Sequence, residues 1–211
     1  MKALFINAER KVEKPKISEI SKKLPKKLHI LYTIQYKGIT ENIKQQLEKT
    51  GVKITAIEQI LGCSKITPKA PILLISSGKF HLTQALSNIA KPTPIYYYNA
   101  ETGKTEKIGK EHIEDLKKKE KARLSKFYSS ENIGMLISTK PGQNKLKQAL
   151  QEKKNLKKKF KDKNFYIFMF ETINLNELVN FPIDIWINFA CPGLYFDSPK
   201  IINYKKLIIK K

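Results

Sequence analysis

Cysteine is scarce in this 211-residue sequence, which contains only Cys63 and Cys191. Two cysteines cannot form the disulfide framework of a small secreted domain, so a reducing cytoplasm is expected. They do not form the closely spaced pair of a zinc knuckle, which disfavours zinc. A long apolar run is also missing, so no membrane span is predicted. The first ten residues are too short and too soon charged for a signal peptide, and we predict a buried strand there.

Acidic residues are few: the sequence has 19 aspartates and glutamates and 41 lysines and arginines, which gives a formal charge of +22. One explanation is the lysine-rich exterior of a heat-adapted protein. The other is an acidic partner, such as nucleic acid or an anionic surface. The basic runs at residues 117–119 and 157–159 carry few aromatics and little arginine, so platforms for base stacking are not obvious. The first explanation is therefore favoured.

Strand-like apolar runs alternate with helical spacing along the chain, which predicts an α/β fold. We expect two similar domains, residues 1–109 and 110–211, each with a mainly parallel sheet flanked by helices. Strands are predicted over residues 28–33, 52–57, 71–75, 94–98, 133–137, 165–170 and 183–189. Helical faces are predicted from Ile39, Ile43 and Leu47, from Leu82, Ala85, Leu86 and Ile89, from Ile113, Leu116, Leu124 and Phe127, and from Leu146, Ala149, Leu150, Leu156 and Phe160. A short helix is predicted over residues 175–179.

Two polar loops occur where a strand gives way to a helix. In residues 76–81, Gly78 allows close backbone approach, and amides at the helix start suit a carboxylate or phosphate. His81 is placed to orient a ligand or shuttle a proton, although an ordinary turn with a solvent-facing histidine has the same pattern. Residues 138–143 combine a hydroxyl, a cation and a side-chain amide, without the glycine spacing of a Walker loop. The second loop is as typical of a plain turn as of a ligand site.

Both cysteines lie at turns, Cys63 after Gly62 and Cys191 before Pro192. Lone cysteines are most often small buried apolar residues. These two fall in different predicted domains, as expected of a site built between domains. Pro192 ends the preceding strand, so Cys191 is expected on a rigid loop at the sheet edge where parallel α/β proteins bind ligands. A [4Fe–4S] cluster needs four ligands, or three cysteines with one open iron, so these two cysteines are too few to hold one by themselves.

Four motifs occur in an order that is similar to one protein family. They are Gln59-Ile60-Leu61-Gly62-Cys63, Ser76-Ser77-Gly78-Lys79-Phe80-His81, Ser138-Thr139-Lys140-Pro141-Gly142-Gln143 and Asn188-Phe189-Ala190-Cys191-Pro192. From its amino terminus to about Asp197, the sequence resembles the diphthamide synthase family, the archaeal 2-(3-amino-3-carboxypropyl)histidine synthases.

The resemblance implies a noncanonical radical S-adenosylmethionine enzyme. In this family three cysteines, one from each of three similar α/β domains, hold a [4Fe–4S] cluster whose open iron binds S-adenosylmethionine. Reductive cleavage gives a 3-amino-3-carboxypropyl radical, which adds to the imidazole C2 of a histidine in elongation factor 2. This is the first step of diphthamide biosynthesis. The family is dimeric, so an oligomer in the cytoplasm is expected.

Carried over residue by residue, the resemblance implies that Cys63 is the second cluster cysteine and Cys191 the third. It places no other residue in a catalytic role. The implied cofactor shell consists of Ser77, Gly78, His81, Thr139, Lys140, Gly142 and Gln143. Backbone amides and Lys140 would hold the methionyl carboxylate of S-adenosylmethionine.

The sequence departs from the family in two places. Its start resembles the family's second domain, so the first domain and its cysteine are expected on a separately encoded protein or on a homologous subunit. After Pro192 the family has a basic residue and then a pair of aspartates, whereas this chain has Gly193 and the single Asp197.

Three functions follow: the carboxy-terminal part of a split synthase, a non-catalytic subunit of that enzyme, or a basic module that binds RNA or ribosomes.

Overall fold

The chain folds into two compact units in the computed structural model, which describes residues 8–12 and 24–208 apart from the side chains of Lys79 and Ile208. The units divide between Ile113 and Glu114, inside a helix and close to the predicted boundary after residue 109. Most of the strand predicted for the first ten residues falls outside the described residues. Residues 8–12 have no regular secondary structure.

The first unit is built on a five-stranded sheet with the order β2-β1-β3-β4-β5. The first four strands in that order are parallel, and β5 pairs with β4 in the antiparallel direction. The elements are β1 (Lys27–Tyr32), α1 (Lys37–Lys49), β2 (Lys53–Gln59), β3 (Ile72–Ser76), α2 (Gly78–Asn88), β4 (Ile95–Asn99) and β5 (Thr105–Lys107). The short strand β5 was not predicted.

Both faces of the first sheet are covered, which explains the continuous apolar run of β3. Leu73 and Ile75 pack with α1 on one face, where Ile39, Ile43 and Leu47 form the buried helical stripe that the spacing predicts. Ile72 and Leu74 pack on the other face with Leu82 and Ala85 of α2. All five residues of β3 are buried. A strand buried on both faces lies at the centre of a parallel sheet, as β3 does here.

The second unit is built on a four-stranded, fully parallel sheet with the order β7-β6-β8-β9. Its first helix, α3, crosses the division between the units. The elements are α3 (Lys110–Ser129), β6 (Asn132–Ser138), α4 (Leu146–Lys159), β7 (Asn164–Phe170), α5 (Leu175–Leu178), β8 (Ile185–Asn188), α6 (Leu194–Asp197), β9 (Ile201–Asn203) and α7 (Tyr204–Ile208). Strand β9 and the two short helices α6 and α7 were not predicted.

Helices α3 and α4 cover one face of the second sheet, where Leu124, Phe127 and Ala149 pack on strands β6 and β8. The prediction for Leu150 was wrong, because its side chain is 47% exposed. At helical spacing it lies at the margin of the stripe that Leu146, Ala149 and Leu156 form. An aromatic group around Trp186 fills the opposite face, with Phe168 and Phe181 edge-on to the indole.

The expected fold class is confirmed: two similar α/β units, each with a mainly parallel sheet flanked by helices. None of the helices within residues 24–208 combines the length and the apolar character needed to cross a lipid bilayer. Parallel sheets bring the loops that follow their strands to one edge. Each unit therefore gathers its predicted site residues at the carboxyl edge of its own sheet.

Candidate functional site

The exposed, free thiol of Cys63 lies on a turn that follows β2. The turn is closed by the Ser64 amide, which donates to the Leu61 carbonyl at 3.0 Å, and by the Leu61 amide, which donates to Ser64 Oγ at 2.9 Å. From α2, Asn88 Nδ2 donates to the Gly62 carbonyl at 3.0 Å. The thiol is therefore open to solvent while the backbone on both sides of it is held in place.

Ser77 and Gly78 lie at the same edge, directly after β3. Ser77 is extended, with φ −119° and ψ 154°, and Gly78 begins α2 with a φ of +67° that favours glycine. The hydroxyl of Tyr97 on β4 donates to the Gly78 carbonyl at 3.0 Å. The connection from strand to helix is thereby fixed by a neighbouring strand, as a site that binds a ligand through its backbone requires.

Three buried polar atoms at this edge have no hydrogen-bond partner among the described residues. They are His81 Nδ1, Ser76 Oγ and Thr33 Oγ1. Thr33 follows β1 and Ser76 ends β3, which are neighbouring parallel strands. Burial lowers the pKa of His81, so its imidazole is neutral at neutral pH. Buried polar atoms are normally satisfied, so this group is suited to a polar ligand. Thr33 and Ser76 were not among the predicted site residues.

In the second unit, residues 139–143 form the loop after β6. The Thr139 amide donates to the Phe170 carbonyl at 2.9 Å, and the Gln143 amide donates to the Lys140 carbonyl at 3.0 Å. Gly142 has a φ of +76°, which the reversal of the chain requires. The side chains of Thr139 and Lys140 are exposed, and Gln143 is half-buried. The loop therefore presents a hydroxyl, an ammonium group and an amide at the sheet edge.

Cys191 follows β8, the strand beside β6, so its loop lies at the same edge as residues 139–143. Its free thiol is half-buried. The Cys191 carbonyl accepts a hydrogen bond from Asn188 Nδ2 at 2.8 Å and one from the Leu194 amide at 3.2 Å. Asp197, the remaining acidic residue of the motif, is exposed on α6.

In the first unit, Cys63 lies on the turn after β2, next to the last residue of α2, whereas Ser77, Gly78 and His81 lie at the start of that helix. In the second unit, Cys191 and residues 139–143 follow neighbouring strands at one edge of the sheet. Within residues 8–12 and 24–208, no group of three or more histidine, cysteine, aspartate or glutamate side chains is arranged to hold a metal ion. A cleft of about 360 Å³ lies elsewhere in the first unit, between α1 and strands β1 and β2. It is lined by Tyr32, Lys37, Thr40, Glu41, Lys44, Gln45 and Ile57, none of them a predicted site residue.

A family model with the description "Putative diphthamide synthesis protein" matches residues 1–210. The chain belongs to this family. A curated member of the diphthamide synthesis family, 2-(3-amino-3-carboxypropyl)histidine synthase from Pyrococcus horikoshii, is 28% identical over 198 residues. The match covers 88% of this chain and 55% of that protein.

Two crystal structures of Dph2 from Pyrococcus horikoshii share the fold at 26% sequence identity. The TM-scores are 0.75 and 0.74, and each match covers 92% of this chain and 59% of the other. One of the two crystal structures contains a 4Fe-4S cluster. The chain therefore spans a little more than half the length of the diphthamide synthesis proteins that it matches.

The chemistry of the donors in this chain fits part of such a cluster. Thiolates are the usual ligands of iron–sulfur clusters, and both cysteines are free, accessible and carried on braced turns. Two thiols do not complete a ligand set. The buried hydroxyls of Thr33 and Ser76 and the neutral imidazole of His81 fit the polar groups of a ligand near the start of α2.

Sequence reasoning also missed residues outside the Cys191 motif whose side chains bond to the backbone that follows Cys191. Asn203 on β9 donates to the Pro192 carbonyl at 3.1 Å. Arg123 on α3 donates to the Tyr195 carbonyl at 2.8 Å. Both are distant in sequence from Cys191. Arg10 and Arg123 are the only two arginines in the chain, and this scarcity is the one sequence signal that could have drawn attention to Arg123.

Proposed function

We propose that the chain is the carboxy-terminal part of a split 2-(3-amino-3-carboxypropyl)histidine synthase. The complete enzyme would transfer the 3-amino-3-carboxypropyl group from S-adenosylmethionine to a histidine of elongation factor 2 in the cytoplasm. The observation that carries the proposal is the pair of free thiols, each on a braced turn at the carboxyl edge of a parallel sheet. Family membership supports the same reaction.

In this proposal Cys63 and Cys191 provide two of the three thiolates of a [4Fe–4S] cluster. The cluster supplies the electron that breaks a carbon–sulfur bond of S-adenosylmethionine and releases the 3-amino-3-carboxypropyl radical. Because a [4Fe–4S] cluster needs at least three thiolates, the third would come from outside these 211 residues, and a first domain or a homologous subunit is its proposed source. The proposed active form is an oligomer.

The residues around the thiols bind and orient S-adenosylmethionine. Lys140 and the amides near Gly142 attract its carboxylate, and Gln143 offers an amide donor. Ser77 and Gly78 present backbone groups at the start of α2. His81, held neutral by burial, accepts or donates one hydrogen bond without adding charge. These contacts would determine which carbon–sulfur bond faces the iron.

Co-purification tests this function directly. The tagged chain is expressed with a separate protein that carries the first-domain cysteine, and the complex is reconstituted anaerobically with iron and sulfide. We expect visible cluster absorbance and cleavage of S-adenosylmethionine by the reduced complex. A stable complex with neither cluster absorbance nor cleavage would contradict the proposal.

A second candidate is a non-catalytic subunit that supports a complete homologue by docking or electron delivery. The observation that favours it is Gly193, which is buried and uncharged where the family has a basic residue. Serine substitution of both cysteines separates the candidates, because activity of the complex survives the change in a supporting subunit and disappears in a ligand-bearing one. RNA binding that weakens with added salt and is the same with and without iron would instead indicate the basic module.

A further inference from the structure

We propose that Asn188, Asn203 and Arg123 are positioning residues that hold the Cys191 thiol for iron ligation. The proposal rests on the function proposed above, since it concerns how Cys191 would be presented to a cluster. Residues 189–193 are called the Cys191 loop below; the two asparagines bond to this loop, and Arg123 bonds to the chain just after it. Its two ends are fastened by different parts of the second unit.

Asn188 uses its whole side-chain amide on this segment. Its side chain is buried, and its Oδ1 accepts from the Ala190 amide at 2.9 Å. Its Nδ2 donates to the Cys191 carbonyl at 2.8 Å and to Asn203 Oδ1 at 2.7 Å. One side chain therefore fixes the backbone before and after the Cα of Cys191.

Asn203 extends the same network from the next strand. It is the register partner of Asn188 across β8 and β9. Its Oδ1 accepts from Asn188, which leaves its Nδ2 to donate to the Pro192 carbonyl at 3.1 Å. The carbonyls of Cys191 and Pro192 are thus both held by one asparagine pair at the edge of the sheet.

Arg123 fastens the chain just after the Cys191 loop. From α3, Nη2 donates to the Tyr195 carbonyl at 2.8 Å and to the Ser198 carbonyl at 3.3 Å. The guanidinium also lies 3.9 Å from the centre of the Tyr195 ring. A lysine ammonium lacks the planar fork that stacks and donates at once, so arginine is specifically suited to this place. Arg123 is one of only two arginines among 41 basic residues, and it is buried. Its side chain bonds to α6 and to the residue that follows α6.

A second asparagine pair in the same sheet provides a comparison. At the amino edge, Asn164 Nδ2 lies 3.4 Å from Asn132 Oδ1, and these residues are register partners on β7 and β6. The Asn164–Asn132 contact is exposed and longer than the Asn188–Asn203 hydrogen bond of 2.7 Å. The shorter and more buried of the two asparagine pairs is therefore the one near Cys191. Burying polar side chains is costly unless they are fully bonded, so the network at the Cys191 edge serves to define one conformation of the loop.

The test measures the alkylation rate of Cys191 by iodoacetamide in iron-free protein, without denaturant. Cys63→Ser is the parent, so that one thiol reacts. Asn203→Ala removes two hydrogen bonds of the network, and Asn164→Ala is the matched control. We expect about a tenfold faster rate for Asn203→Ala, a factor that corresponds to about 1.4 kcal/mol and lies in the range expected for the net loss of two hydrogen bonds. Asn164→Ala should react at the parental rate.

Two further variants keep the test decisive if Asn203→Ala folds poorly. Asn203→Asp retains the acceptor for Asn188 and loses the donor to Pro192, and Arg123→Lys retains the charge and loses the fork. Both should also react faster than the parent. Asn132→Ala, which changes the exposed asparagine pair at the amino edge, should react at the parental rate. Parental rates in the folded Asn203 and Arg123 variants would overturn the proposal. Because no iron is present, that result is separate from a failure of the complex to bind a cluster.

Discussion

Gly134 on β6 and Trp186 on β8 are register partners, and the indole ring occupies the space where a side chain of residue 134 would start. A Cβ at position 134 would overlap the indole ring. Trp186 in turn packs against Phe168 and Phe181 on the same face of the sheet. This close approach sets where β8 lies beside β6, and β8 is the strand that ends at the Cys191 loop.

Replacing Gly134 by alanine should therefore destabilise the second unit. The indole must move within a packed aromatic group, and overpacking of this kind costs about 1–3 kcal/mol. Urea unfolding measures the loss. Gly38→Ala is the control, because an added Cβ there meets one atom at ordinary contact distance, 3.6 Å from Glu9 Oε2. That variant should be neutral or slightly more stable, since alanine favours helix α1. Equal midpoints for the two variants would show that the indole yields freely.

The stability of the first unit should depend on pH through His29. Its imidazole is buried, Nδ1 accepts from the Lys69 amide at 3.4 Å, and Nε2 lies 3.4 Å from Glu58 Oε1. Burial lowers the pKa of His29, the Glu58 carboxylate opposes the shift, and Lys69 adds to it. The unfolded chain therefore takes up a proton below about pH 6.5, whereas the folded chain does so only at lower pH. The free energy of unfolding should be highest above that pH and fall as the pH drops through the folded pKa.

Urea midpoints measured between about pH 7 and pH 5 test this dependence. His29→Gln should flatten the profile, and His112→Gln, an exposed change on α3, should leave it unaltered. His81 contributes in the same direction because its pKa is also lowered by burial. The difference between the wild-type and His29→Gln profiles isolates His29. Parallel profiles would contradict the assignment.

Tyr97→Phe should weaken binding of S-adenosylmethionine to the reconstituted complex. The lost hydroxyl donates to the Gly78 carbonyl at 3.0 Å and fixes the turn at the start of α2. One hydrogen bond is worth roughly 1 kcal/mol, so about a fivefold loss of affinity in equilibrium dialysis is expected. Tyr96→Phe is the matched control, since Tyr96 is the adjacent tyrosine and packs on the opposite face of the sheet. An equal loss in both variants would indicate a general effect of the strand.

Sequence analysis predicted the elements whose own residues show, by their apolar spacing, which faces are buried. Strand β3 is a continuous apolar run because both of its faces are covered, and helix α1 shows its stripe because one face is. Strands β5 and β9 have three residues each, and pairing with β4 and β8 defines them more than their own composition does. The prediction for Leu150 was wrong because helical spacing does not show where the buried stripe of a helix ends; Ala149 is buried and Leu150 is exposed.

The same distinction applies to the candidate site. Both cysteines and the two polar loops follow strands that could be recognised, so their placement at carboxyl edges was predictable. The supports of the Cys191 loop were not. Arg123 reaches the Tyr195 carbonyl across 72 positions of sequence, and Asn203 lies on a strand too short to be predicted. Such contacts are set by the packing of distant elements, which a pattern of residues does not record.

Cys63 and Cys191 should both ligate iron. The iron and sulfide content of the anaerobically reconstituted complex tests this ligation, with Cys63→Ser and Cys191→Ser compared against wild type at matched urea stability. We predict that each substitution alone removes the cluster absorbance and the cleavage of S-adenosylmethionine, because two remaining thiolates do not hold a [4Fe–4S] cluster. A full complement of iron and undiminished cleavage in both variants would contradict it.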